Sequence, residues 1–156
     1  MPFKVDILDV NNLEARQQYG ALCYRRSGKK KQDCEVLLIT SRDTGRWVTP
    51  KGWPMANKAP HEVAEQEAYE EAGIKGTVSD RKLGSFSYLK RLNDGSEVPC
   101  VVDLYPLLVK KAKAKFPEVE ERTRRWTSAE EAAELVDESG LKALLIGFAG
   151  AMTTRS

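Results

Sequence analysis

Residues 52–74 read GWPMANKAPHEVAEQEAYEEAGI, and the second half of this stretch is punctuated as a helix. Pro60 suits the first helical position, where its missing N–H is no loss. Gly73 suits the position just past the end, where a left-handed residue closes the helix. At about 100° per residue, Glu67, Glu70 and Glu71 fall at about 0°, −60° and +40°, so three carboxylates share an arc of about 100°. Ala64, Ala68 and Ala72 fill a neighbouring arc that can pack on a sheet. Like charges three and four residues apart destabilise a helix by roughly 0.2–0.5 kcal/mol per pair. A hard cation such as Mg²⁺, held through carboxylate oxygen, turns that repulsion into a binding site. A solvated acidic face is the other reading, because helical spacing alone does not separate the two.

Outward from this segment, residues 19–26 and 35–40 read as strands around the turn-like 27–33. A shorter strand, 46–49, runs into the loop Pro50-Lys51-Gly52-Trp53-Pro54. Two extended stretches, about 74–91 and 97–109, flank Asn93-Asp94-Gly95, a strong hairpin signal. Pro117 and Glu118–Glu121 mark a loop before a short strand ending at Trp126. Ser128 with Glu131 forms a capping-box pattern that opens a helix to about Val136. Ser139-Gly140 starts a final helix. Its stripe of Leu141, Leu144, Leu145 and Phe148 predicts core packing, with a dimer face as the alternative. The pattern predicts a single α+β domain over 1–156, a central sheet flanked by helices.

A length of 156 residues leaves room for one domain, and 41% hydrophobic residues suffice for a real core. No apolar run approaches the ~18–20 residues of a membrane span. The N-terminal MPFKVDILDVNNLEARQQYG lacks the apolar region and cleavage site of a signal peptide. Three cysteines without CxxC spacing argue against a disulfide framework, so a reducing, cytoplasmic setting is expected. The single histidine, His61, excludes a multi-histidine zinc site. Net charge is only +2, but it is unevenly spread. Basic clusters stand at 25–26, 29–31, 110–115 and 122–125, and acidic ones at 62–71, 118–121 and 130–138. Solvated faces explain any one cluster. Several cations around one acidic centre would mark an anionic partner.

Gly52, Glu67, Glu70, Glu71, Gly73 and Ile74, with Ala68 at an apolar position, follow a known spacing. The segment resembles the Nudix box, Gly-x5-Glu-x7-Arg-Glu-U-x-Glu-Glu-x-Gly-U, where U is apolar. Lys58 stands where the box has its first glutamate, and Gln66 where it has arginine. The resemblance extends over roughly residues 15–137. Within the superfamily it is most similar to the diphosphoinositol polyphosphate phosphohydrolases, through Arg42, Arg46-Trp47-Val48, Pro50, residues 70–77 and Arg124-Arg125-Trp126. Members of that group also cleave diadenosine polyphosphates.

The resemblance implies an α/β/α sandwich around a mixed sheet and hydrolysis of phosphoanhydride bonds with Mg²⁺ (or Mn²⁺). It implies Glu67 and Glu71 as metal ligands, with the Gly52 backbone carbonyl a further one. It implies Glu70 as general base or as a ligand shared between metals. The box arginine helps orient these glutamates. Gln66 can donate a hydrogen bond but carries no charge, which puts their geometry in question. Lys51, Arg42, Arg46, Arg25 and the cluster from Arg122 to Arg125 are candidates for phosphate contact. Trp53 either stacks on an adenine or covers the core, the second being favoured. Glu118, Glu120 and Glu121 form a solvated loop or supply a further carboxylate. The expected partner is a phosphate-rich small molecule, with no membrane, and nucleic acid only as a capped or triphosphorylated RNA end. The expected assembly is a monomer or homodimer. A nucleotide or RNA 5′-pyrophosphohydrolase, and a weakly active scaffold that binds nucleotide as a sensor, remain the alternatives.

Overall fold

Two continuous apolar runs explain the centre of the fold. Strand β1 (Arg16–Arg26) and strand β2 (Cys34–Thr40) bury alternate residues on opposite faces of one sheet. Leu22, Val36 and Leu38 face one layer, while Ala21, Cys23, Leu37 and Ile39 face the other. A strand buried on both faces reads as an unbroken apolar run instead of an alternating one. The computed structural model describes residues 15–28 and 33–154, so the Lys29–Lys31 cluster lies outside the described residues.

The remaining strands are β3 (Trp47–Val48), β4 (Lys51–Gly52), β5 (Ile74–Val78), β6 (Gly84–Arg91), β7 (Glu97–Ala112) and β8 (Arg124–Thr127). The main order is β3-β2-β1-β7-β5, with β4 on β1, β6 on β7 and β8 on β2. β1 and β7 run parallel, from Arg16 opposite Cys100 to Tyr24 opposite Leu108. The other pairs are antiparallel, which makes the sheet mixed.

The stretch 74–91, expected as one extended segment, is two strands. Both pair with β7, β6 as far as Leu104 and β5 from Leu107 onward. The break falls opposite Pro106, which has no N–H to lend a neighbour. The Asn93-Asp94-Gly95 turn closes the hairpin as expected, with Asp94 Oδ1 accepting the Ser96 N–H at 2.9 Å.

Helix α1 (Pro60–Ala72) covers one face through Ala64, Ala68 and Ala72. Pro60 holds its first position and Gly73, at φ 71°, its C-cap. The Glu62 carboxylate accepts the Ala59 N–H at 2.8 Å, satisfying one of the free donors of the first turn. Arg124 closes the other end by donating to the Ala72 carbonyl at 3.0 Å. Helices α2 (Ala129–Leu135) and α3 (Ser139–Thr154) cover the opposite face. Ser128 Oγ caps α2 by accepting the Glu131 N–H at 3.1 Å. The reciprocal half of the expected box is replaced, because the Glu131 carboxylate pairs with Arg125 at 2.6 Å. Leu141, Leu145 and Phe148 are buried against Phe86 and Leu104, so the α3 stripe is core. The result is the expected α/β/α sandwich. All three cysteines are free thiols.

Candidate active site

Strand β4 brings the box loop to the box helix. It is only two residues long, too short to stand out of the loop in sequence. Tyr19 opposes Gly52 and Gly20 opposes Lys51, and the Ala21 N–H donates to the Pro50 carbonyl at 3.0 Å. This pins the Gly52 backbone against α1, where a Cβ would fall inside the Glu67 carboxyl group. A side chain at Gly52 would therefore displace the Glu67 carboxyl group from its place.

Glu67 and Glu71 face a cleft of about 550 Å³ between α1 and the sheet. Their carboxyl groups lie close enough to act on each other. Burial first, then the neighbouring Glu71 carboxyl group, pushes the Glu67 carboxyl up to about 8. Burial also raises Glu71, against the opposing pull of Glu67, Arg122 and Lys51. Burial beside Glu71 thus favours a protonated Glu67 near neutral pH when no cation separates the two carboxyl groups.

Glu70 stands outside the cleft wall. Its Oε2 accepts a 2.7 Å hydrogen bond from Gln66 Nε2, so the neutral residue at the box-arginine position does hold one glutamate. Beyond the helix, the Glu118 N–H donates to the Glu70 carbonyl at 3.0 Å and docks the 116–121 loop on the site. Glu118 lines the cleft and pairs with Arg122, whose Nη2 lies 2.8 Å from Glu118 and 3.4 Å from Glu71.

The candidate phosphate contacts separate on structural grounds. Lys51 lines the cleft, with its ammonium 5.1 Å from the Tyr88 ring centroid, and burial pushes it down to about 8. Arg42 lines it too and reaches Glu121 at 3.3 Å. Arg46 stands beside it in an adjoining hollow, paired to Glu138 at 2.5 Å. Arg122 is buried among its carboxylate partners. Arg25 is not brought to the site. It lies nine residues along β1 from Arg16, about 30 Å at strand rise, and is paired with Glu35 at 2.9 Å over the Trp126 ring. Arg124 and Arg125 serve α1 and Glu131, as described above. Trp53, expected to cover the core, does not. It is 39% exposed at the cleft edge, with Lys90 Nζ 5.9 Å from its ring.

Sequence reading passed over Arg16, Tyr88, Lys90 and Arg91, all of which line the cleft. Tyr88 and Lys90 share a face of β6 by alternation, which was visible. Their arrival opposite α1 depends on β6 pairing with β7 and β7 with β1, which was not.

Among the described residues, no three His, Cys, Asp or Glu side chains already form a metal cage. The Glu67–Glu71 pair is a two-carboxylate, all-oxygen donor set that holds a proton a cation can replace. That chemistry fits a hard divalent ion.

Residues 16–145 match the NUDIX domain family model, and the chain belongs to that family of hydrolases acting on pyrophosphate bonds. It is 32% identical over 148 residues to Nudix hydrolase 21, chloroplastic, of Arabidopsis thaliana, covering 92% of this chain and 71% of the relative. It is 35% identical over 71 residues to mouse diphosphoinositol polyphosphate phosphohydrolase 3-alpha, covering 46% of this chain and 41% of the relative. The chain spans 65% of the length of two other Arabidopsis relatives, Nudix hydrolase 16, mitochondrial, and Nudix hydrolase 4. In fold it resembles the C. elegans Ap4A hydrolase, with a TM-score of 0.63 at 20% identity over 88% of this chain and 98% of that one. Among the described residues no helix is long and apolar enough to cross a membrane.

Proposed function

We propose that this chain hydrolyses phosphoanhydride bonds in small molecules carrying many phosphates, diphosphoinositol or diadenosine polyphosphates, with Mg²⁺ or Mn²⁺. The observation that carries the reading is the Glu67–Glu71 carboxylate pair at one side of a cleft rimmed by cations. Arg16, Lys51, Lys90 and Arg91 line that cleft without an ion pair to any described residue. Unpaired cations around a carboxylate centre suit a ligand that brings several negative groups of its own.

In this reading Glu67 and Glu71 hold the divalent ion, beside the Gly52 backbone. When bound, the ion offsets charge on the reacting phosphate and lowers the pKa of water. Lys51 and Arg42 bind and orient the phosphates, and Arg46 is placed for those further out. Glu70, which Gln66 holds just beside the cleft, takes the proton from the attacking water. The exposed Trp53 ring offers a stacking face for an adenine. A reducing, cytoplasmic setting, in keeping with three free cysteines, belongs to the same proposal.

A panel of diphosphoinositol polyphosphates, diadenosine polyphosphates, nucleoside triphosphates, ADP-ribose and triphosphorylated RNA, assayed with Mg²⁺ and with EDTA, tests this. Metal-dependent turnover fastest on the first two classes is expected. Fastest turnover on nucleoside triphosphates or RNA ends would move the assignment to the alternative class. Tight nucleotide binding without turnover on any substrate would establish a sensor instead, the alternative raised by Lys58 and Gln66 at two box positions.

A further inference from the structure

Among the described residues, Arg122 is the only cation in an ion pair with a box glutamate. Its side chain is 7% exposed, and every arm is used. Nη1 donates to the Thr40 carbonyl at 2.9 Å, which anchors the guanidinium to the end of β2. Nε and Nη2 reach Glu118 Oε1 at 3.0 and 2.8 Å, and Nη2 also faces Glu71 Oε1 at 3.4 Å. Arg122 therefore joins the carboxylate of the box helix to that of the 116–121 loop. A planar fork fixed at three points holds its partners in direction as well as distance.

The opposite side of the helix lacks such a charge. Gln66 spans one hydrogen bond to Glu70 and does not pair with Glu71. Taking the metal-dependent hydrolase reading as its basis, we infer that Arg122 is a positioning residue that aligns Glu71 and Glu118 toward the divalent ion. It does the work that the box places on an arginine at position 66, and it is not a phosphate contact. Its guanidinium is too far committed to protein oxygens to meet a substrate without giving them up. Gln66 retains the smaller share, the orientation of Glu70.

The test uses Arg122→Gln, Arg122→Lys, Gln66→Arg and the double variant Arg122→Gln/Gln66→Arg, each checked by circular dichroism. Mn²⁺ affinity is measured by calorimetry without substrate, and kcat and KM separately with it. Loss of a partner that orients metal ligands typically costs 10–100-fold in metal affinity or activity. Arg122→Gln should weaken Mn²⁺ binding and lower kcat by that factor, with substrate KM within about threefold of wild type. Arg122→Lys keeps the charge but not the fork and should lose about tenfold in kcat. Gln66→Arg should restore at least half of the logarithmic loss in the double variant. If Arg122→Gln does not fold, Arg122→Lys carries the same comparison. A raised KM with unchanged Mn²⁺ affinity would make Arg122 a phosphate ligand and overturn the inference. Wild-type behaviour of Arg122→Lys, or no recovery in the double variant, would overturn it as well. Absence of hydrolysis in the wild type would sink the hydrolase reading alone, since the Mn²⁺ titrations still report whether Arg122 orders the site.

Discussion

Replacing Glu67 by glutamine should make the metal-free protein more stable while removing its function. Glu67 ordinarily titrates at 4.5 but is pushed up to about 8 by burial and by Glu71. Between those two values the folded protein binds a proton that the unfolded chain does not. Stability of the metal-free protein therefore falls as pH rises from about 4.5 to about 8. Keeping that proton at pH 7 costs about 3 kcal/mol at 1.36 kcal/mol per unit. Glu67 is only half-buried, and solvent screening reduces the figure to roughly 1–2 kcal/mol. Glutamine keeps the size and the capacity to hydrogen-bond and has no proton to hold. In EDTA at pH 7 its midpoint should rise by about 2–8 °C for a chain of this size. The gain should vanish near pH 4.5, where both chains carry a neutral group. Added Mg²⁺ should raise the wild-type midpoint by binding the native state and leave the variant nearly unmoved. Thermal melts at several pH values, with EDTA and with Mg²⁺, decide it. A variant no more stable than wild type at pH 7, or one whose gain persists undiminished at pH 4.5, would refute the protonated Glu67.

Glu70→Gln should lower kcat by ~10²–10⁴-fold, the usual contribution of a general base, with no recovery at high Mn²⁺. Glu71→Gln should recover part of its activity there. Full metal rescue of Glu70→Gln would take the role of base away from it. Gly52→Ala should cost about 10²-fold in activity, because its methyl group displaces Glu67 from its place and misplacement by about 1 Å costs that much. Retained activity in a folded Gly52→Ala protein would show that Glu67 has room to move. For a polyphosphate substrate KM should climb with ionic strength faster than for ADP-ribose, since exposed charge pairs are screened within ~8–10 Å at physiological salt. Equal slopes would count against a cleft built for many phosphates.

The box helix was legible because three independent signals agree on it: Pro60 and Gly73 at its ends, the alanine arc, and the glutamate arc. The Glu67–Glu71 pair followed from the same period, and so did the α3 stripe, but the third glutamate of the arc, Glu70, stands outside the cleft on Gln66. What escaped was everything that depends on strands meeting. Lys90 and Arg91 sit just ahead of a hairpin turn, and Arg16 at the start of β1, where local pattern says only that they are solvent-facing. Only the parallel pairing of β1 with β7, which joins segments more than eighty residues apart, turns them into walls of one cleft. The same cause misdirected the reading of Arg25, which shares a strand with Arg16 but lies at its far end. Charge clustering misled at 122–125 for a different reason. These arginines look alike in sequence, yet Arg122 serves Glu71 and Glu118, Arg124 the end of α1, and Arg125 Glu131. Glu118 was visible as a loop carboxylate, but its place beside Glu71 required the 116–121 loop to dock on Glu70.

The central claim is that the Glu67–Glu71 pair beside Gly52 assembles a metal-dependent centre for attack by water on a phosphoanhydride. Its most direct test is hydrolysis of a diphosphoinositol polyphosphate in ¹⁸O-water, with product masses read for the wild type and Glu67→Gln, each with Mg²⁺ and with EDTA. The account predicts one ¹⁸O atom on a single product per turnover in the wild type with Mg²⁺, and none above background in EDTA or in the variant. Equal ¹⁸O incorporation by the wild type and Glu67→Gln, or incorporation undiminished by EDTA, would contradict it.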